Sequence, residues 1–151
     1  MPALPIPVTG YEPARRQYRS VELLKALARQ APRDAARVLG VTEADLGIPM
    51  LTFLFGQAQL DGPIALISLC RLRQEFYGMP PDDALLQERI VKEMLHELGH
   101  TFGLTHCGDG NCAMSLSTHI EFVDAKSARY CARCGNHLAR RAGEIEGAAT
   151  L

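Results

Sequence analysis

No stretch of the 151-residue sequence is long and apolar enough to cross a bilayer. The longest apolar runs, Pro49 to Phe55 and Pro63 to Cys70, fall far short of the roughly 20 residues that a spanning helix needs. No membrane partner is expected. An excess of one charge is also missing: 16 basic and 17 acidic residues leave a formal charge of −1 and a pI near 6.5. Nothing global therefore favours nucleic acid or an anionic surface. Met1 to Gly10 holds no Lys or Arg and has three prolines, unlike a secretory signal, so a cytoplasmic location is expected. Repeats at solenoid spacing and Gly/Ser-rich or Pro-rich linkers are absent as well. Residues 1–151 read as a single domain, expected to be a monomer.

The content that remains is that of a folded domain. Hydrophobic residues make up 47% and charged residues 22%, enough for one core and far from the profile of disorder. Periodicity predicts an α+β unit. Leu4 to Val8 reads as a strand and Tyr18 to Ala31 as a helix, with Val21, Leu24, Leu27 and Ala28 at helical spacing. Ala35 to Leu39, Pro49 to Phe55 and Pro63 to Cys70 read as further strands, the last two apolar enough to be buried. Gln57 to Leu60 is short and polar, as suits a sheet edge, and Asp61-Gly62 favours a tight hairpin after it. Asp82 and Asp83 predict the start of a helix running to about Phe102. On it Val91, Met94, Leu95, Leu98 and Phe102 share one arc, with His96 and His100 opposite, so the apolar arc is expected to pack and the other to carry chemistry. A last helix is predicted over Asp124 to Arg141.

That chemistry lies in His96-Glu97-Leu98-Gly99-His100, followed by Gly103 and His106. Histidines four apart on a helix are separated by about 6 Å of rise and share a face, so both imidazoles reach one ion. Gly103 can take the left-handed conformation that ends the helix and returns His106 as a third ligand. Zinc suits three neutral imidazoles with a fourth position open to water, and lowers that water's pKa to about 7. Glu97, beside the ion, would take the water's proton and pass it to a leaving amine. The reaction expected is hydrolysis of a peptide or related amide.

Four of the five cysteines form a second group: Cys107 and Cys112, with four residues between, and Cys131-x-x-Cys134. Both spacings bring two thiolates to one tetrahedral ion, and four sulfurs leave no open position, so this zinc is expected to be structural. The rival readings are disulfides or a redox pair at Cys131 and Cys134. Two zinc ions per chain follow. Because His106 and Cys107 are adjacent, the two sites should be mechanically linked. Cys70 reads as a buried strand residue. His119, Tyr130 and His137 read as exposed or structural, with an oxyanion contact as the lesser alternative for the first two. Arg129, Arg133, Arg140 and Arg141 read as a solvated face.

Taken together, the three-histidine motif, the cysteines that follow at once, Met114 and the distal Cys-x-x-Cys resemble the archaemetzincin family of metzincin-clan zinc metalloproteases. The resemblance implies a twisted five-stranded mixed sheet with a backing helix, an active-site helix and a C-terminal helix. It also implies a cleft below an antiparallel edge strand, for which Gln57 to Leu60 is the candidate, and Met114 as an apolar floor under the catalytic zinc. The function implied is a zinc-dependent peptidase acting on peptides or proteins. Two alternatives share the same residues: a weakly active or inactive zinc-stabilised module that binds a peptide or partner, and a hydrolase of small molecules.

Overall fold

The structure, a computed structural model, describes residues 3–149, so the ends of the predicted 1–151 domain lie outside the described residues. Among the described residues seven short strands and four α-helices follow one another in this order: β1 (Tyr11–Glu12), β2 (Gln17–Arg19), α1 (Ser20–Gln30), β3 (Val38–Thr42), β4 (Leu46–Ile48), β5 (Leu51–Leu54), β6 (Gly56–Ala58), β7 (Ile64–Ser68), α2 (Asp83–Thr101), α3 (Ile120–Ala125) and α4 (Ala132–Ala149). The class is α+β with mixed sheets, as expected. In place of one five-stranded sheet, the strands form a four-stranded sheet ordered β1-β2-β4-β5 and a three-stranded sheet ordered β3-β7-β6. The chain crosses from one to the other between β5 and β6, at buried Phe55.

The main core lies between α1 and the sheets. Leu23, Leu24 and Leu27 of α1 pack on Val38, Leu46, Ile64 and Leu66. Every residue of β7 is buried: it lies between β3, paired in parallel, and β6, paired antiparallel, and both α1 and α2 pack on it, as burial of both faces requires. β6 is an edge strand of that sheet, so the predicted edge is found, starting at Gly56 and ending at Ala58. In the turn after it, Asp61 takes the left-handed conformation at φ 55°.

Several predicted elements are displaced. Leu4 to Val8 forms no strand: Pro5 and Pro7 have no backbone N–H to give a ladder, and Val8–Gly10 is a 3-10 turn. The first helix starts only at Ser20, and its buried stripe is Ser20, Leu23, Leu24 and Leu27, with Val21 41% exposed. Strand β5 covers only the middle of Pro49 to Phe55 and borders its sheet, so Leu51 is half exposed. The predicted helix over Asp124 to Arg141 is broken into α3 and α4. Between them Arg129 O accepts from Ala113 N, and Ser127 N donates to Asn111 O. Backbone groups that a continuous helix would use internally are tied instead to the cysteine loop.

The largest departure concerns α2. Its buried residues are Arg89, Lys92, Glu93, His96, Glu97, Gly99 and Thr101, while Val91 is 46% exposed and Met94, Leu95, Leu98 and Phe102 are half-buried. The helix packs on β6, β7 and α3 with its polar side, which inverts the sequence expectation. Ion pairs make that burial tolerable. Arg89 grips Asp124 with two hydrogen bonds of 2.7 Å and donates to Leu72 O. Lys92 donates to Asp124 O at 2.9 Å and pairs with Glu88. Lys126 pairs with Glu93 at 2.7 Å.

Candidate active site

Helix α2 begins with Asp82 accepting the Leu85 N–H at 2.9 Å, a side-chain cap for one of the free amides of its first turn. At its other end Gly103 has φ 84°. Gly103 N donates to His100 O and Leu104 N to Gly99 O, the paired bonds of a Schellman turn. The same turn serves the histidines. Leu104 O, carried back by it, lies 2.7 Å from His100 Nδ1, and His106 follows two residues later.

His96 Nδ1 is 2.8 Å from Ala113 O. A carbonyl oxygen only accepts, so the proton of each of these rings is on Nδ1 and the Nε2 lone pair is free. The two Nε2 atoms then face each other at 3.2 Å. Two lone pairs so placed repel unless a cation lies between them. Zinc bound at about 2.0–2.1 Å sets tetrahedral edges of about 3.3–3.4 Å, close to that spacing. The rings of His96, His100 and His106 have centroids 4.7 to 5.3 Å apart, and one nitrogen from each lies within 4.8 Å of the others. Burial lowers the proton affinity of all three, with Lys126 adding to the effect, and His96 titrates at about 3. At neutral pH the imidazoles are neutral and fit for a metal.

Glu97 is buried beside them, and its Oε2 has no hydrogen-bond partner among the described residues. Burial first, and the neighbouring carboxylate of Glu93 second, push its pKa well above the usual range, against an opposing pull from Lys126. Glu97 is also confined. A Cβ on Gly56 would come within 2.7 Å of Glu97 Cγ and Oε1, so the edge strand approaches the carboxylate as closely as it does only because that residue is glycine. Met114, fully buried, lies against Gly99, where no side chain larger than hydrogen fits.

The three histidines, Glu97 and Gly56 line a cleft of about 540 Å³. One wall is Leu51 to Ala58 with Leu60, covering β5 and β6; the other is Leu116 to His119; the histidines, Glu93 and Glu97 lie between them. His119 is therefore at the cleft. Tyr130 is turned away, donating to Leu95 O at 2.6 Å, and His137 bonds to Phe102 O. The basic run is partly engaged: Arg133 donates to Cys107 Sγ, and Arg141 pairs with Asp61 and Glu144.

The sulfurs of Cys107, Cys112, Cys131 and Cys134 lie within 4.8 Å of one another. Cys107 and Cys131 are 3.8 Å apart, the edge of a tetrahedron with zinc–sulfur bonds of about 2.3 Å. All five cysteines are free thiols, and Cys70 is half-buried. The Asp109 N–H and then Arg133 bring the Cys107 thiol down to about 7, whereas burial pushes Cys134 up to about 12. The two groups are joined at two points. His106 precedes Cys107, and Ala113, whose carbonyl orients His96, stands between Cys112 and Met114. Sequence reasoning missed Ala113, Gly56, Glu93 and Lys126. Only Glu93 had a signal, its place on the histidine side of α2.

Three neutral imidazoles and a buried carboxylate on the floor of a cleft are the groups of a zinc metallopeptidase. Comparison with known proteins agrees. Residues 19–140 match the model of peptidase family M54. The chain is 46% identical over 141 residues to archaemetzincin from Methanocaldococcus jannaschii, covering 93% of this chain and 76% of the relative. It is similar to the crystal structure of archaemetzincin from Methanopyrus kandleri, with a TM-score of 0.83 and 45% identity over 91% of this chain and 73% of the other. A zinc-dependent peptidase from Methanocorpusculum labreanum also matches, with a TM-score of 0.78 and 34% identity over 88% and 80% of the two chains. The chain belongs to peptidase family M54, the archaemetzincins. Among the described residues no helix is long and apolar enough to cross a membrane.

Proposed function

We propose that this chain cleaves peptide bonds with a zinc held by His96, His100 and His106 and with Glu97 as general base and then general acid. Cys107, Cys112, Cys131 and Cys134 hold a second, structural zinc. The observation that carries the reading is the buried, unpartnered Glu97 Oε2 beside two imidazoles whose Nε2 lone pairs converge. When bound, the catalytic zinc supplies Lewis-acid polarisation and a water acidic enough to ionise near neutral pH.

The protein's own groups supply the rest. Ala113 O and Leu104 O hold the rings of His96 and His100 in one tautomer and one orientation. Glu97 Oε2 takes a proton from water, holds it because burial favours its neutral form, and releases it to the departing amine. The free edge of β6 offers backbone groups to an extended peptide, and the two walls keep the peptide over the histidines. A binding module that performs no chemistry has no use for an unpaired buried carboxylate, so Glu97 weighs against that alternative. We further read the chain as one catalytic domain, monomeric and cytoplasmic, with peptides or proteins as its partners.

Turnover of internally quenched peptides by wild type and Glu97→Gln, both zinc-loaded, tests this. Glu97→Gln should keep its zinc and lose about 10²–10⁴-fold in kcat. Equal turnover by the two proteins would remove Glu97 from the mechanism.

A further inference from the structure

Glu93 and Glu97 stand one turn apart on the buried side of α2, and both line the cleft. Their company differs. Glu93 Oε1 is 2.7 Å from Lys126 Nζ, in an ion pair with side chains 3% and 0% exposed. Apart from that pair neither atom has a partner, and Glu97 Oε2 has none at all, among the described residues. Burying two charges costs about as much as their attraction returns, and an apolar pair of similar volume often does as well or better. Fold stability is therefore a poor reason for the pair. Lys126 is also awkwardly placed for metal binding: its ammonium is held against a carboxylate that lines the same cleft as the three histidines, and a buried charge is little screened.

We propose that Glu93 and Lys126 are a positioning pair for the catalytic centre: Glu93 engages and balances the buried ammonium, leaving Glu97 the unpaired carboxylate beside the three histidines. The inference rests on the peptidase reading of that site. Its consequences have opposite signs. With Glu93 neutralised, Lys126 stands uncompensated beside the histidine cleft, where Glu97 is the remaining carboxylate. With Lys126 neutralised, no cation opposes the metal, and Glu93 adds at most negative charge.

The test is zinc affinity at each site, by competition with a chelator, for the full chain and its Glu93→Gln, Lys126→Met and double variants, with kcat and KM on a quenched peptide. Glu93→Gln should weaken zinc at the histidine site on the order of tenfold, leave the cysteine site unchanged, and lower kcat about tenfold with little change in KM. Lys126→Met should bind zinc as tightly as wild type or more so. The double variant should return to within about threefold of wild-type zinc affinity. A purely structural pair has no such sign: equal weakening by the two single variants, or no change in either, overturns the proposal. If the single variants do not fold, the double variant decides, since a tenfold loss of histidine-site affinity there contradicts charge balance. A wild type that binds zinc but cuts no peptide defeats the peptidase reading, while the affinity signs still decide the role of the pair.

Discussion

The two ligand groups are built in opposite ways. The histidines come from one helix and the turn that ends it, within eleven residues, and they open onto a cleft. The cysteines come from two segments, with Cys107 and Cys131 24 positions apart, and they close on one another under buried surface. A local, open group suits a metal that must admit substrate. A non-local, closed group suits one that ties the chain together. The two groups meet at His106-Cys107 and at Ala113: the loop that carries Cys107 and Cys112 begins at His106, and its Ala113 carbonyl holds the His96 ring.

The largest loss is expected at the closed site. Cys134→Ser removes one of the four sulfurs that bring α4 and the Met114 turn beside the end of α2. Structural zinc in small domains contributes apparent binding free energies of about 10–16 kcal/mol. The expected outcome is loss of a cooperative thermal transition for the C-terminal third, accompanied by loss of zinc from the histidine site. A Cys134→Ser protein that melts like wild type would separate the two groups.

Acid acts on the open site. In the metal-free protein His96 titrates at about 3, against 6.5 for an ordinary imidazole. Between those values the unfolded chain binds the proton and the folded chain does not, so stability falls as pH drops from 6.5 towards 3. The slope is at most about 1.4 kcal/mol per pH unit. His96→Asn should lack this component. Denaturant midpoints of the two metal-free proteins between pH 7 and 4.5 measure it, and parallel curves would contradict it.

Smaller lesions probe the supports. Gly56→Ala places a Cβ against Glu97 and Leu66 O, and it should cost about 10–100-fold in kcat by misplacing the carboxylate, with two zincs retained by elemental analysis. Tyr130→Phe removes the hydrogen bond to Leu95 O that links the cysteine segment to α2. A loss of about 0.5–1.5 kcal/mol is expected, read from the denaturant midpoint, without change in zinc content.

How far the sequence reveals this molecule depends on how local each feature is. His96, His100 and His106 are legible because one helix period and one glycine determine their meeting, and the cysteine spacings carry the second group almost as well. The edge strand was legible within a residue or two, for its polarity and its turn are local. The orientation of α2 was not. Periodicity reports which residues share a face, and the inference that the apolar face is inside fails when ion pairs from a distant segment, Asp124 and Lys126, cover the polar one. The same non-locality hid Gly56, which matters only because another element's carboxylate fills the space of its missing side chain. The split between α3 and α4 was hidden for a related reason, since hydrogen bonds to the cysteine loop compete with the helix there.

At stake is the presence of two separate metal sites, one open and one closed, on a shared loop. Zinc per chain in purified, folded wild type and His100→Ala tests it most directly. Two are expected in wild type and one in His100→Ala, with the variant's secondary structure intact. A single zinc in the zinc-saturated wild type, or the loss of both from a folded His100→Ala, would contradict it.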